Sequence, residues 1–184
     1  MIFNKHSHLE GAHAFLGASN YSWLNYSPEK IAIVWKNSEA KKRGTELHDY
    51  AARSIRLCQK LKGKSTIAQY VNDGIDFGMS PEQILFYSRN CFGTVDAISF
   101  DGKMLRIHDL KTGEVPAKMD QLMIYAALFC LEYMVPPESI KIELRIYQSN
   151  SIRDFLPDPI DIRSIMNRII SNDRIIEDIR SQEE

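Results

Sequence analysis

The chain has 184 residues, 44% of them hydrophobic and 26% charged, with a formal net charge of -1. That length buries one full core without need of a second domain, so one domain is expected over 1–184, with residues 1–12 as a loosely held arm. A charge near zero excludes global attraction to nucleic acid and leaves any such affinity to local basic clusters and bound metal ions. Three widely spaced cysteines, Cys58, Cys91 and Cys130, form no CxxC pair, which argues against a zinc or iron–sulfur centre and for a reducing compartment. The start of the chain is polar and no stretch approaches the ~20 apolar residues of a membrane span, so a soluble, cytoplasmic protein with no membrane partner is expected.

In chain order, His6, His8 and His13 fall in or near the N-terminal arm and lack the partners of a metal site. Ser19 is placed to cap a short helix through Trp23 and Leu24 that stops before Pro28. An amphipathic helix is predicted from about Glu39 to Leu61, with Leu47, Tyr50, Ala51, Ile55, Cys58 and Leu61 on its buried stripe. A second helix follows over about Ser65 to Ile75. Gln83 to Ser88 reads as a strand, although Ser80-Pro81-Glu82-Gln83 is also an acceptable helix start. Val95 to Phe100 and Met104 to Leu110 form a hairpin about the turn signal Asp101-Gly102. An apolar helix spans about Ala117 to Met134, and Pro136-Pro137 ends it. Ile140 to Tyr147 alternates strictly and is the fourth strand. Asp158-Pro159-Ile160-Asp161 opens a closing helix with Ile162, Ile165, Ile169, Ile176 and Ile179 on its apolar side. The order predicts an α/β fold, a mixed central β-sheet flanked by helices.

The hairpin carries the chemistry. Asp96 stands near the start of one strand and Asp109 near the end of its antiparallel partner, with Lys111 two residues on and on the same face as Asp109. Two hard oxygen ligands and an ammonium converge there, a layout that suits Mg²⁺ or Mn²⁺ and a water aimed at a phosphate. His48 borders the apolar stripe of the long helix and can reach a metal held by the sheet, whereas Glu46 points elsewhere. Gln121 and Tyr125, one turn apart, share a helix face that can lie over Lys111. The basic cluster Lys41, Lys42, Arg43, Arg53 and Arg56 reads equally as a solvated helix face and as a phosphate track.

Taken together, His48, Gly93-Thr94-Val95-Asp96, Asp109-Leu110-Lys111-Thr112-Gly113 and Gln121-Leu122-Met123-Ile124-Tyr125 resemble, in order and spacing, the motifs of PD-(D/E)XK nucleases of the RecB-like branch. That branch includes phage recombination exonucleases and CRISPR-adaptation nucleases, and the stretch from His13 through Asn25 is similar to the start of a phage-encoded subgroup. The resemblance covers roughly residues 13 to 147. It implies a restriction-endonuclease-like core, with a divalent metal bound by His48, Asp96, Asp109 and the carbonyl of Leu110. It further implies catalysis by Asp96, Asp109 and Lys111, and DNA contact by Gln121 and Tyr125, with Lys41, Lys42 and Arg43 as the local basic residues.

The sequence departs from the family where Tyr26-Ser27 replace a usual cysteine and proline and where Ser22 replaces an arginine. The four-cysteine set of the CRISPR-adaptation relatives is missing, so no iron–sulfur cluster is expected. The activity implied is that of a metal-dependent DNA exonuclease of phage or prophage recombination or DNA processing, acting in a bacterial cytoplasm. An endonuclease of the same fold and a non-catalytic binding module on a nuclease scaffold are the alternatives. A single-strand annealing or recombination protein as partner, and self-association, stay open.

Overall fold

A computed structural model describes Lys5, Ser7–Leu9, Gly11 and residues 13–183; of the expected arm, 1–4, 6, 10 and 12, His6 among them, lie outside the described residues. His8 and His13 are exposed. By its internal contacts the chain divides into two compact units, Met1–Arg43 and Gly44–Glu184.

In the first unit, the short helix expected from Ser19 is a 3-10 segment, Ala18–Asn25, that follows Gly17. Trp23 Nε1 donates to the Gly17 carbonyl at 3.1 Å, and Phe15 meets Trp35 edge to face at 5.0 Å. Pro28 opens helix α1 (Pro28–Arg56) instead of merely ending what precedes it. Proline lacks an N–H that would be unpaired in a first turn anyway, and Ser27 Oγ accepts from the Lys30 N–H. The helix therefore begins eleven residues before the sequence reading placed it, because its N-terminal part has no regular apolar stripe for periodicity to detect.

The second unit is an α/β structure, a five-strand mixed sheet flanked by helices. After the end of α1 come α2 (Thr66–Asp76), β1 (Ser80–Ser88), β2 (Cys91–Phe100), β3 (Met104–Lys111), α3 (Asp120–Glu132), β4 (Lys141–Gln148), β5 (Ser151–Phe155) and α4 (Pro159–Glu183). The strands lie in chain order, antiparallel except for β3 and β4, which run parallel. A parallel pair needs a long crossover, and α3 supplies it.

Two apolar clusters cover the sheet. Leu122, Ala126 and Phe129 of α3 and Ile162 and Met166 of α4 pack on Leu105, Ile107, Leu144 and Ile146. Ala51 and Ile55 of α1 and Tyr70 and Val71 of α2 pack on Ala97, Leu110 and Tyr147. Helices α1, α2 and α3 each end in a left-handed residue, Cys58, Gly78 and Met134, with the paired reverse hydrogen bonds of a Schellman motif. Among the described residues no helix is long and apolar enough to cross a membrane.

Several expectations need correction. Ser80-Pro81-Glu82-Gln83 is strand, not helix start. Leu47 and Tyr50 of the expected buried stripe are exposed and Cys58 lies past the helix end, so the buried residues of α1 are Gly44, Ala51, Ala52, Ser54 and Ile55. Ile176 and Ile179 of α4 are likewise exposed. Strand β5 was missed because it is short and mostly exposed, and its turn is made by Ser149 and Asn150, both at positive φ, without a glycine.

Gly74, buried near the end of α2, holds α2 against α1. A Cβ there would stand 2.7 Å from Ile55 Cδ1 and 3.1 Å from its Cγ1. Gly74→Ala is therefore expected to lower stability by about 1–2 kcal/mol despite alanine's higher helix propensity. Ile55→Val, which removes the Cδ1, should recover part of that loss when combined with it, as a urea-unfolding double-mutant cycle would measure.

Candidate metal centre

The site stands where the sheet forks. Strands β2 and β3 are in register from Phe100↔Leu105 to Ala97↔His108. Beyond that rung β2 continues along β1 alone, while β3 continues along β4 to Lys111↔Gln148. The Leu110 N–H is then given to Asp96 Oδ2, at 2.9 Å, in place of a β2 carbonyl. Strand β2 rotates at the same point. Val95 and Ile98 join the α3-side cluster, and Ala97, between them, joins the α1–α2 side. Across from Asp96, between the rungs Pro81↔Ala97 and Gln83↔Val95, Glu82 adopts a φ of 54°, a left-handed backbone that a non-glycine residue holds only under local constraint.

Helix α1 brings His48 over this kink, with Nδ1 3.4 Å from Asp96 Oδ2. One ligating atom each from His48, Glu82 and Asp96 lies within 4.8 Å of the other two. From the α3 side comes Asp109, 2% exposed. Its Oδ1 accepts from Lys111 Nζ at 2.9 Å, and its Oδ2 is buried without a hydrogen-bond partner among the described residues. Lys111 Nζ also donates to Gln121 Oε1 at 3.0 Å, and Gln121 Nε2 donates to the Tyr125 hydroxyl at 3.1 Å. Tyr125 fits because residue 93 is glycine, since a Cβ there would meet the ring Cε1 at 2.9 Å.

Three carboxylates face one ammonium and one imidazole. Burial, and then the neighbouring Asp109 charge, push the Asp96 carboxyl up to about 6 against the opposing pull of His48, the Leu110 N–H and Lys111. Burial also raises Asp109, with Lys111 and His48 opposing. The buried Tyr70 hydroxyl is raised by desolvation and then by Asp96, Glu82 and Asp109, so the excess negative charge reaches across the site. A bound cation would relieve all of these.

The structure thus brings together His48, Asp96, Asp109, Lys111, Gln121 and Tyr125. Leu110 joins them through its N–H. Lys41, Lys42 and Arg43 are exposed on the part of α1 that belongs to the first unit, and Glu46 is exposed and outside the donor group. Glu82 is the residue that sequence reasoning missed. Ser-Pro-Glu-Gln mimics a helix start, and nothing in linear spacing reveals that β1 folds back to set position 82 opposite position 96. The remaining histidine of β3, His108, packs on the other face against Phe77 and Tyr147. Burial, and then Arg145 and Arg106, hold it neutral down to about pH 3, so it is a core residue.

No family model and no curated protein matches the chain. A solved structure titled "Crystal structure of SSO0001" is similar over 69% of this chain and 73% of its own, at 13% sequence identity and a TM-score of 0.30.

A carboxyl raised by folding binds its proton more tightly in the native state, so its contribution to stability is greatest below the unfolded value of about 3.8 and is lost as pH rises through about 6. In EDTA, unfolding free energy should therefore fall between about pH 4 and pH 6.5, by about 3 kcal/mol at most from Asp96. Asp96→Asn should flatten that slope and raise stability at pH 7, as urea titrations across the range would record.

Proposed function

We propose that the second unit is a restriction-endonuclease-like core and that the protein is a divalent-metal-dependent DNA exonuclease. The observation that carries the reading is the convergence of His48, Glu82 and Asp96 within 4.8 Å, beside a buried carboxylate, Asp109, whose Oδ2 has no partner among the described residues. An unpaired buried carboxylate oxygen is destabilising, and a fold that keeps one next to a cluster of oxygen and nitrogen donors has the donor set that a hard divalent cation takes. His48, Glu82, Asp96 and Asp109 would hold Mg²⁺ or Mn²⁺, which when bound supplies a more acidic water and charge neutralisation at a phosphodiester.

The other roles fall to the chain's own groups. Asp109 and Gln121 use two of the three Lys111 N–H donors and so fix the ammonium in place. The third is free among the described residues to meet a water or a phosphate oxygen as charge builds on it. Gln121 orients Lys111 and, with Tyr125, offers polar edges to the substrate strand. Lys41, Lys42 and Arg43 supply phosphate contacts that the near-neutral chain as a whole cannot. Against a purely structural role stand the raised carboxyls, since a scaffold gains nothing from keeping them.

The assignment is tested with end-labelled linear and covalently closed circular DNA in Mg²⁺, Mn²⁺ or EDTA. Metal-dependent loss of linear DNA with circles spared is the expected result. Cutting of circles would make the enzyme an endonuclease of the same fold, and no cleavage in any condition would overturn the reading. Mn²⁺ should raise the melting temperature of the apo protein through linkage. That shift should vanish in Asp109→Ala, shrink in His48→Ala and Glu82→Gln, and persist in Glu46→Ala, as calorimetry would show. Lys111→Ala should lower turnover at saturating DNA by about 100-fold or more while the Mn²⁺-induced shift remains, because the ammonium acts on developing charge and the donors stay in place.

A further inference from the structure

Beyond the fork, the β1–β2 hairpin runs past the part of the sheet that α1 and α2 cover, and among the described residues one of its faces is bare. On that face stand the rungs Ile84↔Thr94 and Phe86↔Phe92, and Glu82 lies across from Asp96 in the gap between the rungs Pro81↔Ala97 and Gln83↔Val95. The opposite face is occupied, with Leu85 and Val95 buried in the α3-side cluster and Gly93 against Tyr125. On the bare face Ile84, Phe86 and Phe92 are 56%, 50% and 62% exposed. The two phenyl rings stack, with centroids 6.3 Å apart and planes 30° from parallel.

We infer that this face is a stacking platform for the bases of an unpaired nucleic-acid strand, leading to the donor group at its far end. The inference rests on the nuclease reading and deepens it by naming the substrate as a single-stranded end or flap. Two observations select this occupant. The platform shares its face of β2 with Asp96, four residues or roughly 13 Å from Phe92, so a strand lying along the hairpin enters the site without turning. The outer edge of β1 is closed to an added protein strand at this level, because Glu132 accepts the Phe86 N–H at 2.8 Å and Glu82 breaks the strand with its left-handed backbone. Electrostatics offers little here, since Arg89 at the hairpin tip is held by Glu177 at 3.1 Å. Stacking on exposed rings needs no such charge and accepts every base. A cross-strand phenyl pair also steadies a hairpin, but that role does not require half of each ring to stay in water.

The test is fluorescence anisotropy of a labelled single strand of about 12 nucleotides in EDTA, alongside the same strand with abasic residues and its duplex. The intact strand should bind better than either of the others. Phe86→Ala with Phe92→Ala should weaken single-strand binding about 10-fold or more, with the salt dependence unchanged and duplex binding unaffected. Should the double variant fold poorly, Phe92→Leu keeps an apolar hairpin residue without a π face and should still lose affinity, while Phe92→Trp should restore or exceed it. Equal binding of intact and abasic strands, or wild-type affinity in the folded double variant or in Phe92→Leu, would overturn the platform.

A wild-type oligomer that the double variant dissolves in sedimentation, with DNA binding intact, would make this face a self-association surface and overturn the platform too. The two readings fail separately. Metal-dependent cleavage with unchanged binding in the variants removes only the platform, whereas loss of stacking without cleavage by the wild type removes only the nuclease.

Discussion

The hydrogen bond from the Leu110 amide to the Asp96 carboxylate is the joint on which the second unit's geometry turns. An antiparallel pair that ended without it would leave a buried amide of β3 unpaired, a penalty of about 1–3 kcal/mol. By taking that amide, Asp96 lets β2 leave β3 three residues before β3 ends and swing with β1 as an independent hairpin. The same bond pins the carboxylate at the mouth of the fork, where His48 approaches from one side and Asp109 and Lys111 from the other. Scaffold and site are therefore one feature.

That arrangement has an electrostatic consequence. Asp96 is tied by an amide and a histidine, yet burial and Asp109 still hold its carboxyl near 6. Asp109 has one oxygen on Lys111 and the other without a partner among the described residues. The protein spends stability to keep these acids together, and tolerates a left-handed Glu82 to bring a third beside them. Strain and repulsion are thus gathered at one place, and the cation proposed above would relieve both.

The two sheet faces divide the work. The α3–α4 face is an apolar layer that seats Gln121 and Tyr125 at its margin, and the glycine at 93 lets Tyr125 close on the hairpin. The α1–α2 face buries Ala97, Leu110 and Tyr147 and carries a charged network about Arg145, His108 and Asp73, capped by Phe77 stacked on Arg106 and Arg145. Paired charges inside a layer make it intolerant of sliding, so β3, which carries Asp109 and Lys111, is held from below as well as above.

Periodicity and turn chemistry were enough to place α2, the β2–β3 hairpin, α3, β4 and α4 within a few residues, because each has a local signature: an amphipathic stripe, an Asp-Gly turn, strict alternation, a proline at a helix start. The same logic put Asp109 and Lys111 on one face and paired them with Asp96, Gln121 and Tyr125. It failed where the signal was not local. The exposed N-terminal part of α1 has no stripe, β5 has no glycine turn, and the exposure of Leu47, Tyr50 and Ile176 depends on what happens to lie opposite them. Glu82 was hidden for the same reason. Its role comes from a cross-strand partner fourteen residues away and from a backbone angle that its neighbours impose. The sequence by itself determined which residues can bind, donate and pack; only the tertiary structure decided which of them meet, because meeting depends on register and on where one hydrogen bond lets a strand depart.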